Sequence, residues 1–308
     1  MSDTLNTRNR YFYISMTEQN FIMINNEQEE ALKESLLSTY FAKDRDMSTE
    51  YSQMVLHDHM IKRLSNYRKK LIPWLEWIYP LKNSRILEIG CGTGSTTVAL
   101  CEQGAEVCGI DIDKNSIEVA KTRLEIYGLH ADLRNVSAVD IENEFREGFD
   151  FIIYTASLEH MTYSERLKTI RASFNMINEC QHIVLVDIPN RLWHTDIHSS
   201  YEPFYFWLPD DLGMDYAKII KKEAFNFDFN KDSKEDIIRF YRRGRGVSYH
   251  EIEVAVGSGN FEVVSCLNDF FEVQDSKYKE ILIEVGPKHI HSGFYNPLLE
   301  IALKKRKQ

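Results

Sequence analysis

Between residues 85 and 190 short apolar runs alternate with stretches of helical periodicity. The apolar runs lie near 85–89, 107–111, 131–136, 150–154 and 183–187, and their length and composition predict strands. The intervening stretches near 95–103, 114–127 and 164–178 predict helices. Strictly alternating strand and helix implies an α/β fold built on a parallel sheet. After residue 190 the rhythm stops. Residues 191–245 are crowded with aromatic and charged side chains and read as an inserted cap. A helix near 248–257 and a strand at Phe261–Cys266 resume the core, and a last strand is expected at Leu298–Leu303. The connection 268–296 between those strands is longer than ~15 residues, a length that usually carries function or disorder. Upstream, Met54, Ile61, Leu64, Leu71, Leu75 and Ile78 recur at helical spacing and predict one or two helices, broken near Pro73. Residues 1–45 are polar with scattered aromatics (Tyr11, Phe12, Tyr13, Phe21) and predict a flexible or loosely docked arm. The resulting divisions are 1–80 (arm and helices), 81–190 (core), 191–247 (cap) and 248–308 (remainder of the core, with 268–296 inserted).

Composition adds constraints rather than chemistry. A hydrophobic share of 43% leaves ample material for a core. The net charge of −10 disfavours broad attraction to nucleic acid or anionic lipid. The five cysteines, Cys91, Cys101, Cys108, Cys180 and Cys266, form no C-x-x-C pair, which predicts reduced core thiols and a cytoplasmic setting. No apolar run approaches the ~20 residues that span a bilayer.

The densest chemical signal is Ile86–Gly94, ILEIGCGTG. Gly90, Gly92 and Gly94 alternate at the point where a strand gives way to a helix. Such a turn lets a ligand lie against bare backbone, with the free N–H groups of the helix start facing it. Asp111 ends the next apolar run, where an acid in nucleotide-binding α/β folds receives both ribose hydroxyls. Asp113 is a rival, because either acid could instead cap the following helix.

The dinucleotide fingerprint is G-x-G-x-x-G, whereas this turn reads Glu88-x-Gly90-x-Gly92-x-Gly94. In that spacing, with Asp111 beyond it, the chain resembles the class I S-adenosylmethionine-dependent methyltransferases. Phe149–Ile153, the segment Ala156-Ser157-Leu158-Glu159-His160-Met161, and His182–Asn190 are similar to that family's fourth strand, its "LEH" segment, and its fifth strand with a Pro-Asn turn. The resemblance covers roughly residues 85–190. It implies a Rossmann-like, doubly wound, seven-stranded, mostly parallel sheet with an antiparallel C-terminal hairpin. Helices upstream of the core would form part of a lid.

The resemblance also implies roles. Gly90, Gly92 and Gly94 would hold the methionine part of S-adenosylmethionine, and Glu88 would order the turn or face its ammonium. Asp111 would take the ribose and Ile112 would flank the adenine. Ser137 and Ala138 stand where the family often has an acid and a small residue; the acid is absent here. Thr155 would lie beside the sulfonium. His160, His194 and His198 are candidate bases for an acceptor hydroxyl, because histidine exchanges a proton near neutral pH. Small-RNA 2′-O-methyltransferases and ubiquinone-pathway O-methyltransferases are similar after strands four and five, where members bind a divalent metal through two acids and two histidines. Glu159, His160 and His198 match three of those positions, and Ala156 replaces the remaining acid, which argues against a metal. His57 and His59 read as surface histidines; His289 and His291 have no assignment.

The acceptor belongs to the cap. Trp193, Tyr205 and Trp207 are candidates for a pocket wall, or equally for the cap's own small core. Arg242 and Arg243, within the basic run Arg239–Arg245, are candidates for holding an anionic group, or for a solvated surface. The expected activity is methyl transfer to an oxygen or nitrogen of a small molecule, anionic or sugar-containing. Two alternatives stand beside it: metal-assisted RNA 2′-O-methylation, and a catalytically silent cofactor-binding protein. Oligomeric state is open.

Overall fold

The computed structural model describes residues 20–41, 46–146, 148–220, 222, 225, 230–271, 277–285 and 292–307. It has two compact units, residues 1–153 and 154–308. The division falls inside β4 (Phe151–Thr155).

The first unit carries β1 (Arg85–Ile89), β2 (Glu106–Asp111) and β3 (Asp132–Asn135), paired in parallel. The second carries β5 (His182–Pro189), β6 (Phe261–Cys266) and β7 (Leu298–Lys305). In it β7 runs antiparallel to both β5 and β6. The sheet order is β3-β2-β1-β4-β5-β7-β6. The expected α/β architecture is therefore present, with its antiparallel closing strands.

In the first unit, residues 20–41 are not a loose arm. Helix α1 (Asn26–Ser35) starts with a capping box in which Asn25 and Gln28 satisfy each other's backbone N–H. It runs on as a π-helical turn, Leu36–Tyr40. Leu32 and Leu36 are fully buried, clustered with Phe41, Leu56 and Val119. The aromatic positions Tyr11, Phe12 and Tyr13 lie outside the described residues.

The next helical segment runs from Glu50 to Ile78 without a break at Pro73. It alternates α2 (Glu50–His57), a π turn Asp58–Lys62, α3 (Arg63–Asn66), a π turn Tyr67–Leu71 and α4 (Ile72–Ile78). Proline lacks the N–H that an α-helix interior requires. Here it sits in the first turn of α4, immediately after a wider π turn, so the helix absorbs it. The π turns also rotate the buried stripe. Met54 and Ile61, expected inside, are exposed, whereas His59 is buried. Only His57 of that histidine pair is at the surface.

Beyond β1 come α5 (Ser95–Glu102), α6 (Lys114–Tyr127) and α7 (Ile141–Glu144), and in the second unit α8 (Tyr163–Met176). The cap contributes α9 (Asp210–Ile220) and α10 (Lys234–Arg242), followed by α11 (Tyr249–Val256). Tyr205, Phe206, Met214, Ala217, Phe225 and Phe240 form a separate apolar cluster within the cap. The 268–296 connection contains helical structure: α12 (Leu267–Phe270) and α13 (Lys277–Val285). His289 and His291 lie outside the described residues. Lys304 and Lys305 belong to β7, and Lys304 pairs with Glu262 at 2.9 Å. Cys91, Cys101, Cys108 and Cys266 are buried and Cys180 is exposed. Among the described residues no helix is long and apolar enough to cross a membrane.

Candidate functional site

In the first unit the glycine turn joins the end of β1 to α5. Gly90, Gly92 and Gly94 all have positive φ, at 80°, 51° and 83°. Gly94 is the N-cap of α5 in the left-handed conformation, and a Cβ there would stand 3.0 Å from the Ala120 Cβ. Both conformation and space therefore require glycine. Gly90 and Cys91 donate their N–H groups to the Ile110 carbonyl, which ties the turn to the end of β2.

The two acids at that end divide the work. Asp113 caps α6, accepting from the N–H groups of Asn115 and Ser116 and from the Ser116 hydroxyl at 2.6 Å. Asp111 is thus released from capping. Its Oδ2 accepts the Gly92 N–H at 2.9 Å and its Oδ1 the Asp113 N–H at 2.8 Å. Each carboxylate oxygen retains a further lone pair, so a vicinal diol can still bind. Asn135, which sequence reasoning passed over, donates to the carbonyls of Asp111 and Ile112 at 2.9 Å each. Ile112 beside it is 69% exposed, as a side chain must be to lie against a ligand ring. Ser137 and Ala138 are half-buried at the start of a 3-10 turn, and Ser137 accepts the Asp140 N–H on its carbonyl.

Glu88 is fully buried in β1. Its Oε2 accepts the Thr97 hydroxyl at 2.7 Å, whereas Oε1 has no hydrogen-bond partner among the described residues. Burial raises its pKa to about 7, against the opposing pull of the Thr97 and Thr96 hydroxyls. A buried carboxylate with an open oxygen fits a ligand ammonium, and Asp111 fits a diol. These are the two polar ends that S-adenosylmethionine would present.

A second support was not legible in the sequence. Arg123 of α6 is fully buried. Its Nε donates to the Thr93 carbonyl at 2.7 Å and its Nη2 to the His59 carbonyl at 2.8 Å. His59 Nδ1 and Thr93 Oγ1 are 3.1 Å apart. The glycine turn, α6 and the π turn after α2 are thereby joined. An arginine among the apolar positions Ala120, Leu124 and Tyr127 was the available signal.

In the second unit Thr155 is buried at the end of β4, its hydroxyl without a hydrogen-bond partner among the described residues. Ala156 follows at φ 43°, a strained left-handed conformation for a residue with a Cβ. Glu159 and His160 lie in the 3-10 turn Leu158–His160. The rings of His160 and His198 are 5.1 Å apart, and His160 Nε2 is 3.8 Å from Glu159 Oε1. Ligating atoms of Glu159, His160 and His198 all lie within 4.8 Å of one another. Desolvation, then the neighbouring His198, pushes the His160 imidazole below its ordinary pKa range.

His198 is positioned by Asp196, a fully buried residue that sequence reasoning missed. Its carboxylate accepts the N–H groups of His198, Ser199 and Ser200 and both serine hydroxyls, at 2.6–2.9 Å. The Asp-x-His-Ser-Ser spacing of an Asx-type turn was its signal. His194 packs elsewhere, against Trp193 (4.3 Å between ring centroids) and Tyr278 (5.4 Å).

The cap residues separate into two groups. Tyr205 is buried in the cap's own core, its hydroxyl donating to the Gly213 carbonyl at 3.2 Å. Of the two places open to Tyr205, the ring takes the second, the cap's own apolar core. Trp207 is 49% exposed and lines a cavity of about 450 Å³ with Arg191, His250, Tyr278, Leu282 and Phe294. Trp193 meets Tyr278 edge to face at 5.3 Å. Arg242 is exposed and closes on Glu165 through two hydrogen bonds, at 2.7 and 2.9 Å. Arg243 is exposed at the C-cap of α10.

Residues 86–179 match the methyltransferase domain family. The chain is 32% identical over 181 residues to a ubiquinone biosynthesis O-methyltransferase of Bartonella tribocorum, covering 56% of this chain and 70% of that protein. It is 32% identical over 90 residues to the protein of the same name in Stutzerimonas stutzeri, covering 29% and 39%. In that second relative, and in several others of the name, the chain spans less than half of the relative's length. Among solved structures it is similar to an S-adenosylmethionine-dependent methyltransferase from Clostridium acetobutylicum, with a TM-score of 0.49 and 14% identity, covering 83% of this chain and 99% of that one.

Proposed function

We propose that this chain, which belongs to the class I S-adenosylmethionine-dependent methyltransferases, moves a methyl group to an oxygen of a small-molecule acceptor by in-line displacement. When bound, S-adenosylmethionine supplies a methyl group on a positively charged sulfur. Glu88, the glycine turn, Asp111 and Ile112 are the residues of the first unit suited to hold it. The in-line geometry requires the attacking atom at roughly 3–3.5 Å from that methyl.

The acceptor-side groups are on the second unit. A hydroxyl must lose its proton as it attacks, and an amine at neutral pH needs less help. His160 carries the preference for oxygen. Desolvation and the neighbouring His198 favour its neutral imidazole, and Nε2 is 3.8 Å from Glu159 Oε1 with the His198 ring alongside. A neutral imidazole takes a proton, and a neighbouring carboxylate stabilises the imidazolium that results. The aromatic cavity of about 450 Å³ is the candidate acceptor pocket, large enough for a drug-sized molecule. The ubiquinone-pathway names of the relatives are compatible with a ring-bearing, hydroxylated acceptor.

The direct test is transfer from methyl-labelled S-adenosylmethionine to a panel of hydroxylated and amine-bearing small molecules. Labelled ethers are the expected products, and His160→Ala is expected to lower kcat by about 100-fold. Transfer to amines alone, or full activity of His160→Ala, would remove this reading. Cofactor binding without turnover on any acceptor would favour a silent binding protein.

One observation favours a second reading. The grouping of Glu159, His160 and His198 has the size and the nitrogen and oxygen donors of a divalent-metal site. Ala156 adds no ligand, and two imidazoles suit a borderline ion better than magnesium. Elemental analysis and chelation distinguish the two: transfer unaffected by a chelator leaves His160 as the base.

A further inference from the structure

The Arg242–Gly244 turn at the end of α10 meets the two histidines at three points. The backbone carbonyl of Arg242 is 3.0 Å from His160 Nδ1. Arg242 Nη1 reaches back to the His160 carbonyl at 2.6 Å while the same guanidinium grips Glu165. Gly244, at φ 96°, leaves the space that the His198 ring occupies, and a Cβ built there would overlap that ring.

We propose that this turn is a positioning device: it holds the His160 proton on Nδ1 and leaves Nε2 as the acceptor nitrogen, facing Glu159 and His198. The proposal rests on His160 and His198 serving the acceptor. A carbonyl oxygen has no proton to give, so a hydrogen bond at Nδ1 requires the proton to be on that nitrogen. In a neutral ring the lone pair is then on Nε2. A free neutral imidazole in water favours the other tautomer, so the turn must impose this one. Arg242 does so twice, through its carbonyl and through the guanidinium that fixes the turn to the 3-10 segment. Arg166 reinforces the same joint from beneath. It is buried, and Nη2 donates to the carbonyls of Glu159 at 3.2 Å and Arg245 at 2.7 Å. The same assignment makes Nε2 the available nitrogen whether it takes a proton or a cation.

The test is long-range proton–nitrogen NMR on the full chain with labelled histidine, which reads the protonation of each ring nitrogen. His160, identified by its loss in His160→Gln, is expected to carry its proton on Nδ1 in the wild type. In Arg242→Met the ratio of the Nδ1–H to the Nε2–H tautomer is expected to fall by up to about tenfold, the worth of one hydrogen bond. Arg242→Lys, which keeps one donor, is expected to recover part of it. Affinity for S-adenosylmethionine, read by calorimetry, is expected to stay within about twofold in these variants. A wild-type ring protonated on Nε2 overturns the proposal, and so does an Arg242→Met spectrum identical to wild type. If a variant does not fold, the wild-type spectrum still decides. Absence of methyl transfer to every hydroxylated acceptor would defeat the functional reading and leave these nitrogen shifts unchanged.

Discussion

Asp111 and Asp113 show how residues of one type acquire different roles two positions apart. Asp113 is consumed in capping α6 and Asp111 is not, so the ribose assignment belongs to Asp111. Asp111→Ala is expected to weaken S-adenosylmethionine binding at least about tenfold in calorimetry, since hydrogen bonds to a charged group are worth about 1.5–3 kcal/mol. Glu88 has a pH signature. Its folded pKa is raised to about 7, above the ordinary carboxylate value of 4.5. Between those values the folded state holds a proton that the unfolded state has released. The Glu88 contribution to the stability of the cofactor-free protein should therefore decline as pH rises through that window and level off above it. Glu88→Gln is expected to flatten this slope in denaturant melts at pH 5, 6, 7 and 8. If the open Oε1 receives the ligand ammonium, binding near pH 6.5 must also expel the proton. Calorimetry in buffers of different ionisation enthalpy would read that release, and a value of zero would place the ammonium elsewhere.

At the scale of elements, the strands of the core and the helices α5, α6 and α8 were legible from alternation and length, to within a residue or two. The N-terminal elements were not. Polar spacers in residues 20–41 concealed two leucines that pack against Val119 of α6. Leu32→Ala is expected to cost about 2–5 kcal/mol in denaturant melts, because the side chain is fully buried. A loosely docked arm would lose almost nothing. The Pro73 break was misread for a related reason. A single period was applied to Glu50–Ile78, but two π turns advance its phase and absorb the proline. Periodicity identifies a helix only while hydrogen bonding keeps one register.

At the scale of the molecule, each unit has its own demand. Trp207→Ala and Tyr278→Ala, both on the aromatic cavity of the second unit, are expected to raise acceptor KM several-fold and leave cofactor affinity intact, as hydrophobic contacts of 1–3 kcal/mol would. Loss of cofactor affinity instead would relocate the acceptor pocket.

The sequence by itself determined the donor. Positive φ at three alternating glycines, a helix start beyond them and an acid at the next strand end are local consequences of neighbouring residues, and local backbone chemistry is readable from spacing. The tertiary structure decided which of several chemically similar side chains face outward. Tyr205 entered a core while Trp207 lined a cavity, and Arg242 was taken up by Glu165 and His160. Arg123 and Asp196 became internal struts, and His59 was buried against Thr93. Apart from the local turn around Asp196, each outcome depends on a partner distant in the sequence. An aromatic ring or a guanidinium lowers its free energy about equally by packing inside or by binding a ligand, and only the fold determines which of these is within reach.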